Sequence, residues 1–354
     1  MLEKPSLPDE RILDLLREAY GLRAAGVAFL PLGADVHTAV YRVDAADGQA
    51  FFLKLRGGDF DENPVRVAAW LHERGVRQVV PVLRTLGGEL WARLEGYTCT
   101  LTPYIAGRGG FEQRLTDVQW LEFGAALRAV HNLGLPDDLR DALPREDWSP
   151  RWREAVRGWQ AQAESAAFAD PLAARMAAFL RAHRAEVDYL LARAEELTAG
   201  LAARRQEYVL CHADIHAGNL LLAEKGGLYI VDWDTALLAP VERDLMFVGA
   251  GIGGTWNTAR EAALFYRGYG QVEIDPAALA YYRYERILED IAAFCAQILP
   301  TEGPGEDRER GFGYFASNFA PSGEIETARR AERGTKQTLI PAFSLKGEGD
   351  GDSS

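Results

Sequence analysis

The stretch from residue 209 to residue 234 constrains the fold of this 354-residue chain more than any other feature. Two short apolar runs, 220–222 and 228–231, flank the segment Glu-Lys-Gly-Gly at 224–227. Short apolar runs separated by glycine-containing turn residues are typical of a β-hairpin. We therefore predict that the chain reverses direction here, so that residues before the hairpin and residues after it come close together.

Three oxygen-bearing side chains border this hairpin. Asp214 and Asn219 lie on the loop that enters it, and Asp232 directly follows its second strand. Carboxylate and amide oxygens are ligands that suit Mg²⁺. Phosphoryl transfer needs little more than such oxygens, a carboxylate that accepts the proton of a hydroxyl, and a cation for the phosphates. An alternative is a polar hairpin corner in which Asp and Asn serve only as turn formers.

The residues around the hairpin match a known pattern. His212-x-Asp214-x-x-x-x-Asn219, followed by Ile-Val-Asp-Trp at 230–233, resembles the catalytic core of the aminoglycoside phosphotransferases, which are relatives of the eukaryotic protein kinases. The resemblance implies that Asp214 is the catalytic base and that Asn219 and Asp232 hold Mg²⁺. It also implies an α+β, bilobal protein-kinase-like fold, with a small antiparallel five-stranded N-terminal lobe and a larger, mainly helical C-terminal lobe.

A lysine inside an apolar strand is the candidate anchor for the nucleotide. The five strands of the small lobe are predicted at 38–43, 51–55, 79–83, 89–92 and 97–101. Lys54 is the one charged residue in the second of these runs. The resemblance implies that it pairs with the α- and β-phosphates of ATP. The alternative is an edge-strand lysine that reaches solvent.

The resemblance also implies a loop that covers the phosphates and a glutamate that holds Lys54. The loop would span 33–38, with Gly33, His37 and Thr38 binding the nucleotide, although it carries one glycine where protein kinases have three. The partner glutamate is expected inside the helix that begins near Asn63-Pro64. Glu62 precedes that proline and Glu73 lies near the far end of the helix, and we favour Glu62.

A hinge between the lobes is expected after the last strand. In the resemblance, backbone groups near Tyr104 and Ile105 pair with adenine, and the glycines at 107, 109 and 110 permit lobe movement. A surface loop is the alternative. The resulting division is an N-terminal lobe at 1–103, a hinge at 104–110, a C-terminal lobe at 111–340 and a disordered tail at 341–354.

Helices are predicted for most of the second half. A helix capped by Thr116, a long helix or helical hairpin over 171–201, a helix over 277–299 and a closing helix over 325–333 follow from capping and periodicity. His131 is interpreted as a structural histidine. By the resemblance, Asp244 ties down the catalytic region.

The acceptor is indicated by softer patterns. Segments 111–120, 231–234, 281–290 and 317–319 are similar to the spectinomycin phosphotransferase branch. That similarity implies ATP-dependent phosphorylation of a hydroxyl of spectinomycin, with substrate binding by Asp234, Glu289 and Asp290. Acidic and aromatic residues on one helix face suit the ammonium groups of an amino sugar. The same face also fits an ordinary amphipathic helix with a solvated acidic side.

Two other functions remain open from the sequence. One is a kinase of this fold that acts on another small hydroxylated metabolite, such as choline, homoserine, methylthioribose or a fructosamine. The other is a kinase-like binding protein without catalysis. The presence of Lys54, Asp214, Asn219 and Asp232 together argues against the second, because a binding module has no need of all four.

Composition bounds the remaining possibilities. The formal net charge of −13 and the pI near 5.1 disfavour a nucleic-acid partner, which usually requires a basic surface. An acidic balance suits a cationic acceptor, but it equally serves solubility. No apolar run is long enough to span a membrane, and the N-terminal residues do not resemble a signal peptide. Three widely spaced cysteines suggest reduced thiols. We expect a cytoplasmic monomer.

Overall fold

The computed structural model describes residues 4–32, 37–250, 252, 255–256, 258–303, 305–321 and 323–334. The strands are β1 Ala24–Leu30, β2 Thr38–Ala45, β3 Ala50–Gly57, β4 Ala92–Leu94, β5 Tyr97–Pro103, β6 Gly107–Gly109, β7 Val209–Cys211, β8 Leu220–Ala223, β9 Leu228–Ile230 and β10 Leu237–Ala239. The helices are α1 Asp9–Tyr20, α2 Asn63–Glu73, α3 Asp117–Asn132, α4 Asp137–Ala142, α5 Arg151–Ser165, α6 Pro171–Ala182, α7 Arg184–Ala202, α8 Glu242–Leu245, α9 Ala259–Tyr269, α10 Pro276–Ile298, α11 Glu306–Ser317 and α12 Glu324–Gly334. The tail predicted to be disordered lies outside these residues.

The N-terminal lobe is a five-stranded antiparallel sheet in the order β1-β2-β3-β5-β4. Helix α1 covers one face, and its residues Ile12 and Leu16 are fully buried in a core shared with β2, β3 and β5. The predicted α+β fold and the predicted number of strands are confirmed. The identity of the five strands differs from the prediction. Strand β1 was not predicted, and the run at 79–83 forms no strand, since Val79 makes only an isolated bridge to Ile230.

Helix α2 packs into the core of the large lobe. Its buried residues Val67 and Leu71, together with Val76 and Val79 after the helix, belong to the hydrophobic cluster of the large lobe. A helix places its apolar stripe where most contact area can be buried. The large lobe therefore fixes the orientation of α2.

The large lobe is organised around the packing of helix α10 against three other helices and the packing of α3 against α9. Helix α10 is buried along most of its length among α5, α7 and α12. Helices α3 and α9 cross closely, since a Cβ atom at Gly124 or Gly268 would overlap the backbone of the other helix. The predicted cap at Thr116 is confirmed, and it takes the form of a capping box with Gln119. The segment predicted as a long helix or a helical hairpin over 171–201 forms two helices, α6 and α7, that are separated at His183.

Two small sheets carry the central hairpin. Strands β8 and β9 pair antiparallel as predicted, and the turn between them contains Gly226 and Gly227, whose φ angles of 86° and 93° favour glycine. Strand β6 pairs with β8, and β7 pairs with β10. Among the described residues, no helix has the length and apolar composition needed to cross a membrane.

Candidate active site

The loop 212–219 is fixed at both ends to the residue that precedes Asp232. The N–H of Val231 donates to the carbonyl oxygen of Asn219 at 3.0 Å. Nε2 of His212 lies 2.9 Å from the carbonyl oxygen of Val231 and must donate, because that oxygen only accepts. The hairpin therefore brings Asp232 to the loop that carries Asp214, as the sequence predicted.

Asp214 is held by side chains and backbone from several directions. Its Oδ1 accepts from Nη1 of Arg286 at 2.6 Å, and its Oδ2 lies 3.6 Å from Nε2 of His216. Its N–H donates to Nδ1 of His212 at 3.3 Å. The side-chain amide nitrogen of Asn219 donates to the backbone carbonyl oxygen of Asp214 at 2.7 Å. This leaves the side-chain oxygen of Asn219 available as a ligand.

A fully buried aspartate supports this loop from below. Asp244 accepts from the N–H of His212 at 2.9 Å and from the N–H of Ala213 at 2.7 Å. Ala213 has a φ of 68°, a left-handed conformation that costs energy for a residue other than glycine. Nε2 of His131 donates to Asp244 at 3.0 Å, and Nδ1 of His131 bonds the Tyr269 hydroxyl at 2.7 Å. The supporting role predicted for Asp244 and the structural role predicted for His131 are confirmed.

The pKa of Asp244 follows from these contacts. Burial alone raises the pKa of a carboxyl group, but the interactions of Asp244 with His131 and with His212 outweigh burial and lower the pKa of Asp244 below its ordinary value. The carboxylate is therefore ionised and accepts both backbone N–H groups. This stabilises the strained turn that presents Asp214.

His131, Cys211 and Asp244 also place three ligand-type atoms within 4.8 Å of one another. The Cys211 thiol, however, lies 3.6 Å from the carbonyl oxygen of Ala239, and burial raises its pKa well above the usual value. A neutral thiol is a poor metal ligand. Since the oxygens of Asp244 already accept hydrogen bonds, we interpret the group as structural. All three cysteines are buried and free.

Asp232 lies at the other side of the site, among charges from β3. It adopts a left-handed conformation with φ 63°. Nζ of Lys54 lies 3.3 Å from its Oδ1 and 2.7 Å from Oδ2 of Asp234, which also pairs with Arg56. Desolvation by the surrounding protein raises the pKa of Asp232. For Asp234, desolvation acts in the same direction, but Lys54 and Arg56 outweigh it and lower the pKa to about 2.

Neither glutamate considered as the partner of Lys54 contacts it. Glu62 lies 3.6 Å from Nη1 of Arg66, and Glu73 pairs with Arg84 at 2.8 Å. Glu62 forms no ion pair with Lys54 in this structure, and its pairing with Lys54 stays a prediction. Asp234 occupies the place of that partner, whereas the resemblance implied a role for it in substrate binding.

The predicted phosphate-covering loop is only partly described. Gly33 lies outside the described residues. The carbonyl oxygen of His37 accepts from the N–H of Gly57 at 2.9 Å, which ties the end of the loop to β3. The side chain of His37 is exposed, whereas Thr38 is buried at the start of β2. Their contact with phosphate stays a prediction.

The predicted hinge enters the sheet of the large lobe. The N–H of Tyr104 donates to the carbonyl oxygen of Ala50 at 2.9 Å, whereas Ile105 makes no backbone hydrogen bond within the described part of the chain. The contact of Tyr104 and Ile105 with adenine stays a prediction. Gly107 and Gly110 serve close packing, because a Cβ atom at either would overlap the backbone of Leu222 or Ala217. The domain boundaries stay a prediction.

One member of the predicted acidic pair on α10 contacts Arg286, a residue that was not predicted to belong to the site. Nε of Arg286 lies 3.2 Å from Oδ1 of Asp290, while Glu289 forms no ion pair among the described residues. Burial raises the pKa of Asp290 to about 7, although Arg286 opposes that rise. Arg286 could have been found as one of two arginines, with Arg283, within a largely buried stretch of α10.

The oxygens of Asn219 and Asp232 fit a hard divalent cation. The side-chain nitrogen of Asn219 donates to the carbonyl oxygen of Asp214, which orients the amide group. The side-chain oxygen of Asn219 accepts no hydrogen bond in the described part of the chain. The side chain of Asp232 is half exposed and is balanced by Lys54. Such oxygen donors are typical of Mg²⁺ sites that also take ligands from a bound phosphate.

Comparisons with known proteins agree on the fold. The phosphotransferase enzyme family matches residues 28–282. The crystal structure of spectinomycin phosphotransferase APH(9)-Ia with ADP and spectinomycin is 35% identical, covers 93% of this chain and 100% of its own, and superposes with a TM-score of 0.87.

More distant structures share the fold alone. The amicoumacin kinase hAmiN is 16% identical, with coverage of 93% of this chain and 94% of its own and a TM-score of 0.57. A choline/ethanolamine kinase family protein from Mesorhizobium loti is 18% identical, with coverage of 87% and 92% and a TM-score of 0.52. The chain therefore belongs to the phosphotransferase enzyme family, and it is an enzyme of the phosphotransferase class with a bilobal, protein-kinase-like fold.

Proposed function

We propose that this protein transfers the γ-phosphoryl group of ATP to a hydroxyl of spectinomycin in a Mg²⁺-dependent reaction. The single observation that carries the proposal is the 35% identity to a spectinomycin phosphotransferase over 93% of this chain. The geometry of Asp214, Asn219 and Asp232 supports it, because a proton acceptor and two metal-ligating oxygens lie on one hydrogen-bonded loop and hairpin.

The nucleotide is expected to bind between the two lobes. Lys54 exchanges its contacts with Asp232 and Asp234 for phosphate oxygens, while the backbone of Ile105 is open to the adenine. When bound at Asn219 and Asp232, Mg²⁺ supplies neutralisation of the phosphate charge. Gly33, His37 and Thr38 remain the candidates for covering the phosphates.

The acceptor is expected to bind on the side of Asp214. Its hydroxyl oxygen forms a bond to the γ-phosphorus, the bond between that phosphorus and the ADP oxygen breaks, and Asp214 takes the hydroxyl proton. Glu289 has no ion-pair partner among the described residues, so it is the more available of the two predicted acidic contacts for an ammonium group. Asp290 is engaged by Arg286, and Asp234 lies with the cations of β3.

We also propose that the enzyme acts as a cytoplasmic monomer. Three buried, free cysteines suit a reducing compartment.

The experiment is an acceptor panel with ADP release as the readout. Spectinomycin is compared with an aminoglycoside, choline, homoserine, methylthioribose and a fructosamine, each with and without Mg²⁺. The proposal expects a kcat/KM for spectinomycin at least about 100-fold above the others, since a site built to pair polar groups rejects ligands that leave them unpaired. Preference for another acceptor, or ATP turnover without Mg²⁺, would refute it.

A further inference from the structure

Arg286 joins the candidate catalytic carboxylate to a different part of the molecule. It lies on α10, and its Nη1 donates to Oδ1 of Asp214 at 2.6 Å. Its Nε lies 3.2 Å from Oδ1 of Asp290, one helical turn further along α10. The Arg286 side chain is 17% exposed, so the contact with Asp214 is largely shielded from water. One guanidinium group thus connects two carboxylates in two directions.

The other oxygen of Asp214 has a different environment. Oδ2 lies 3.6 Å from Nε2 of His216, too far for a hydrogen bond. His216 stacks on Phe111 with ring centroids 5.5 Å apart, and burial lowers its pKa, so that it is neutral at pH 7. Among the described residues, Arg286 is therefore the only arginine or lysine within ion-pair distance of Asp214.

We propose that Arg286 is a positioning residue for phosphoryl transfer, which holds Asp214 by one oxygen so that the other oxygen faces the acceptor. The proposal rests on the proposed function. In the transfer, the acceptor oxygen bonds to the γ-phosphorus of ATP, ADP leaves with the electron pair of the broken P–O bond, and the acceptor proton passes to the free oxygen of Asp214. Arg286 neither gains nor loses a proton.

The planar guanidinium group explains why arginine occupies this position. Its charge is spread over a rigid plane, so Nη1 donates to Asp214 while Nε, which makes no hydrogen bond, lies within ion-pair distance of Asp290. A lysine ammonium is a point charge on a flexible stem, and it would satisfy one carboxylate at the expense of the other. Asp290 is thereby assigned as the residue that orients Arg286, which accounts for an acidic residue on this buried stretch of helix.

A matched control lies one turn earlier on the same helix. Arg283 is also buried, but its guanidinium donates to the carbonyl oxygens of Met246 at 3.0 Å and Val248 at 2.8 Å, and it makes no contact with Asp214. Replacement of Arg283 therefore removes a buried arginine and its hydrogen bonds without changing the partner of the catalytic carboxylate.

The test compares Arg286→Ala, Arg286→Lys and Arg283→Lys in the full chain, with spectinomycin and Mg-ATP as substrates. Arg286→Ala should lower kcat about 10- to 100-fold, because misplacement of a reacting group by about 1 Å costs up to that much. The KM for ATP should stay within about two-fold of the wild-type value, since the loss of kcat concerns the transfer step and not nucleotide binding. Non-denaturing guanidinium should restore kcat to Arg286→Ala in part, and Arg286→Lys should fall between that variant and the wild type.

Arg283→Lys should lower the melting temperature without a guanidinium-dependent change in kcat. The proposal is overturned if Arg286→Ala keeps the wild-type kcat, or if it loses kcat without guanidinium rescue while its melting temperature falls as in Arg283→Lys. A wild type that phosphorylates no spectinomycin overturns both the proposed function and this inference. An active wild type with an unaffected Arg286→Ala overturns the inference alone.

Discussion

The two sides of the candidate site are built differently. On the side of the proton acceptor, Asp244 and His131 are almost completely buried, with side-chain exposures of 0% and 1%, and they fix the backbone that presents Asp214. On the side proposed to bind the nucleotide, the side chains of Lys54 and Asp232 are 26% and 50% exposed and are held by ion pairs. A rigid support suits Asp214, because a general base must face the acceptor hydroxyl in one orientation. The exposed ion pairs of Lys54 and Asp232 suit the proposed nucleotide side, because they can be exchanged for contacts with phosphate and metal.

The packing of α2 explains part of this difference. Val67 and Leu71 bury the helix in the large lobe, so no carboxylate from α2 fixes Lys54. Asp234 takes that place through a contact that a phosphate can displace. The comparison therefore predicts large effects of substitution on the buried side and small effects on stability at the exposed side.

The largest expected effect on activity comes from Asp214. Asp214→Ala should lower kcat by about 10³-fold, the usual contribution of a positioned general base. ATP affinity measured by calorimetry should remain close to that of the wild type, because Asp214 makes no contact with Lys54 or with the predicted hinge. Turnover near the wild-type rate would contradict the assignment of the base.

Asp244 should have the largest effect on stability. Asp244→Ala removes the acceptor for two backbone N–H groups and for His131, all of them buried. Loss of one partner from such a buried network costs about 3–5 kcal/mol. Urea unfolding monitored by tryptophan fluorescence measures this change. A loss below about 1 kcal/mol, the range of an exposed ion pair, would remove the distinction between the two sides.

Glu285 allows the buried side to be tested through pH. Burial raises its pKa from 4.5 to about 7, although Arg153 lies 2.7 Å away and opposes that rise. The folded state therefore binds more protons than the unfolded state between these values, and the free energy of unfolding falls as pH rises through this window. Glu285→Gln removes this dependence.

Relative to the wild type, Glu285→Gln should gain stability as pH rises from 5 to 8, by up to about 3 kcal/mol. Denaturant unfolding at both pH values measures the gain. Parallel stabilities of the two proteins across this range would show that Glu285 does not titrate differently in the folded state.

Asp234 should show the opposite sign and the smallest effect. Its folded-state pKa of about 2 lies below the ordinary 3.8, so its contribution to stability is present above pH 3.8 and is lost as pH falls through 2. Because the side chain is about one-third exposed, Asp234→Asn should cost less than about 1 kcal/mol at pH 7. The same unfolding assay applies. A loss in the free energy of unfolding as large as that of Asp244→Ala would contradict the predicted difference between the two sides of the site.

Local signals made the hairpin and its neighbouring residues predictable. The turn at 224–227 and the apolar runs beside it specify the pairing of β8 with β9, which brings Asp232 to the loop of Asp214. The cap at Thr116 and the end of α1 at Gly21 are also local, since each depends on a side chain or a backbone conformation within one turn.

Features that depend on packing between distant elements were not predictable. The run at 79–83 has strand-like composition but lies between α2 and the hairpin, where Val79 is buried against the large lobe. The partner of Lys54 depends on which face α2 buries. Arg286 meets Asp214 across 72 positions of sequence, and no spacing rule relates residues on a loop to those on a remote helix.

Mass spectrometry of spectinomycin incubated with Mg-ATP tests the central claim most directly. The account predicts that the wild-type enzyme adds one phosphoryl group to the antibiotic and that Asp214→Ala, at equal concentration and with equal ATP binding, adds none within the same time. Unmodified spectinomycin with the folded, ATP-binding wild type, or equal modification by both proteins, would contradict it.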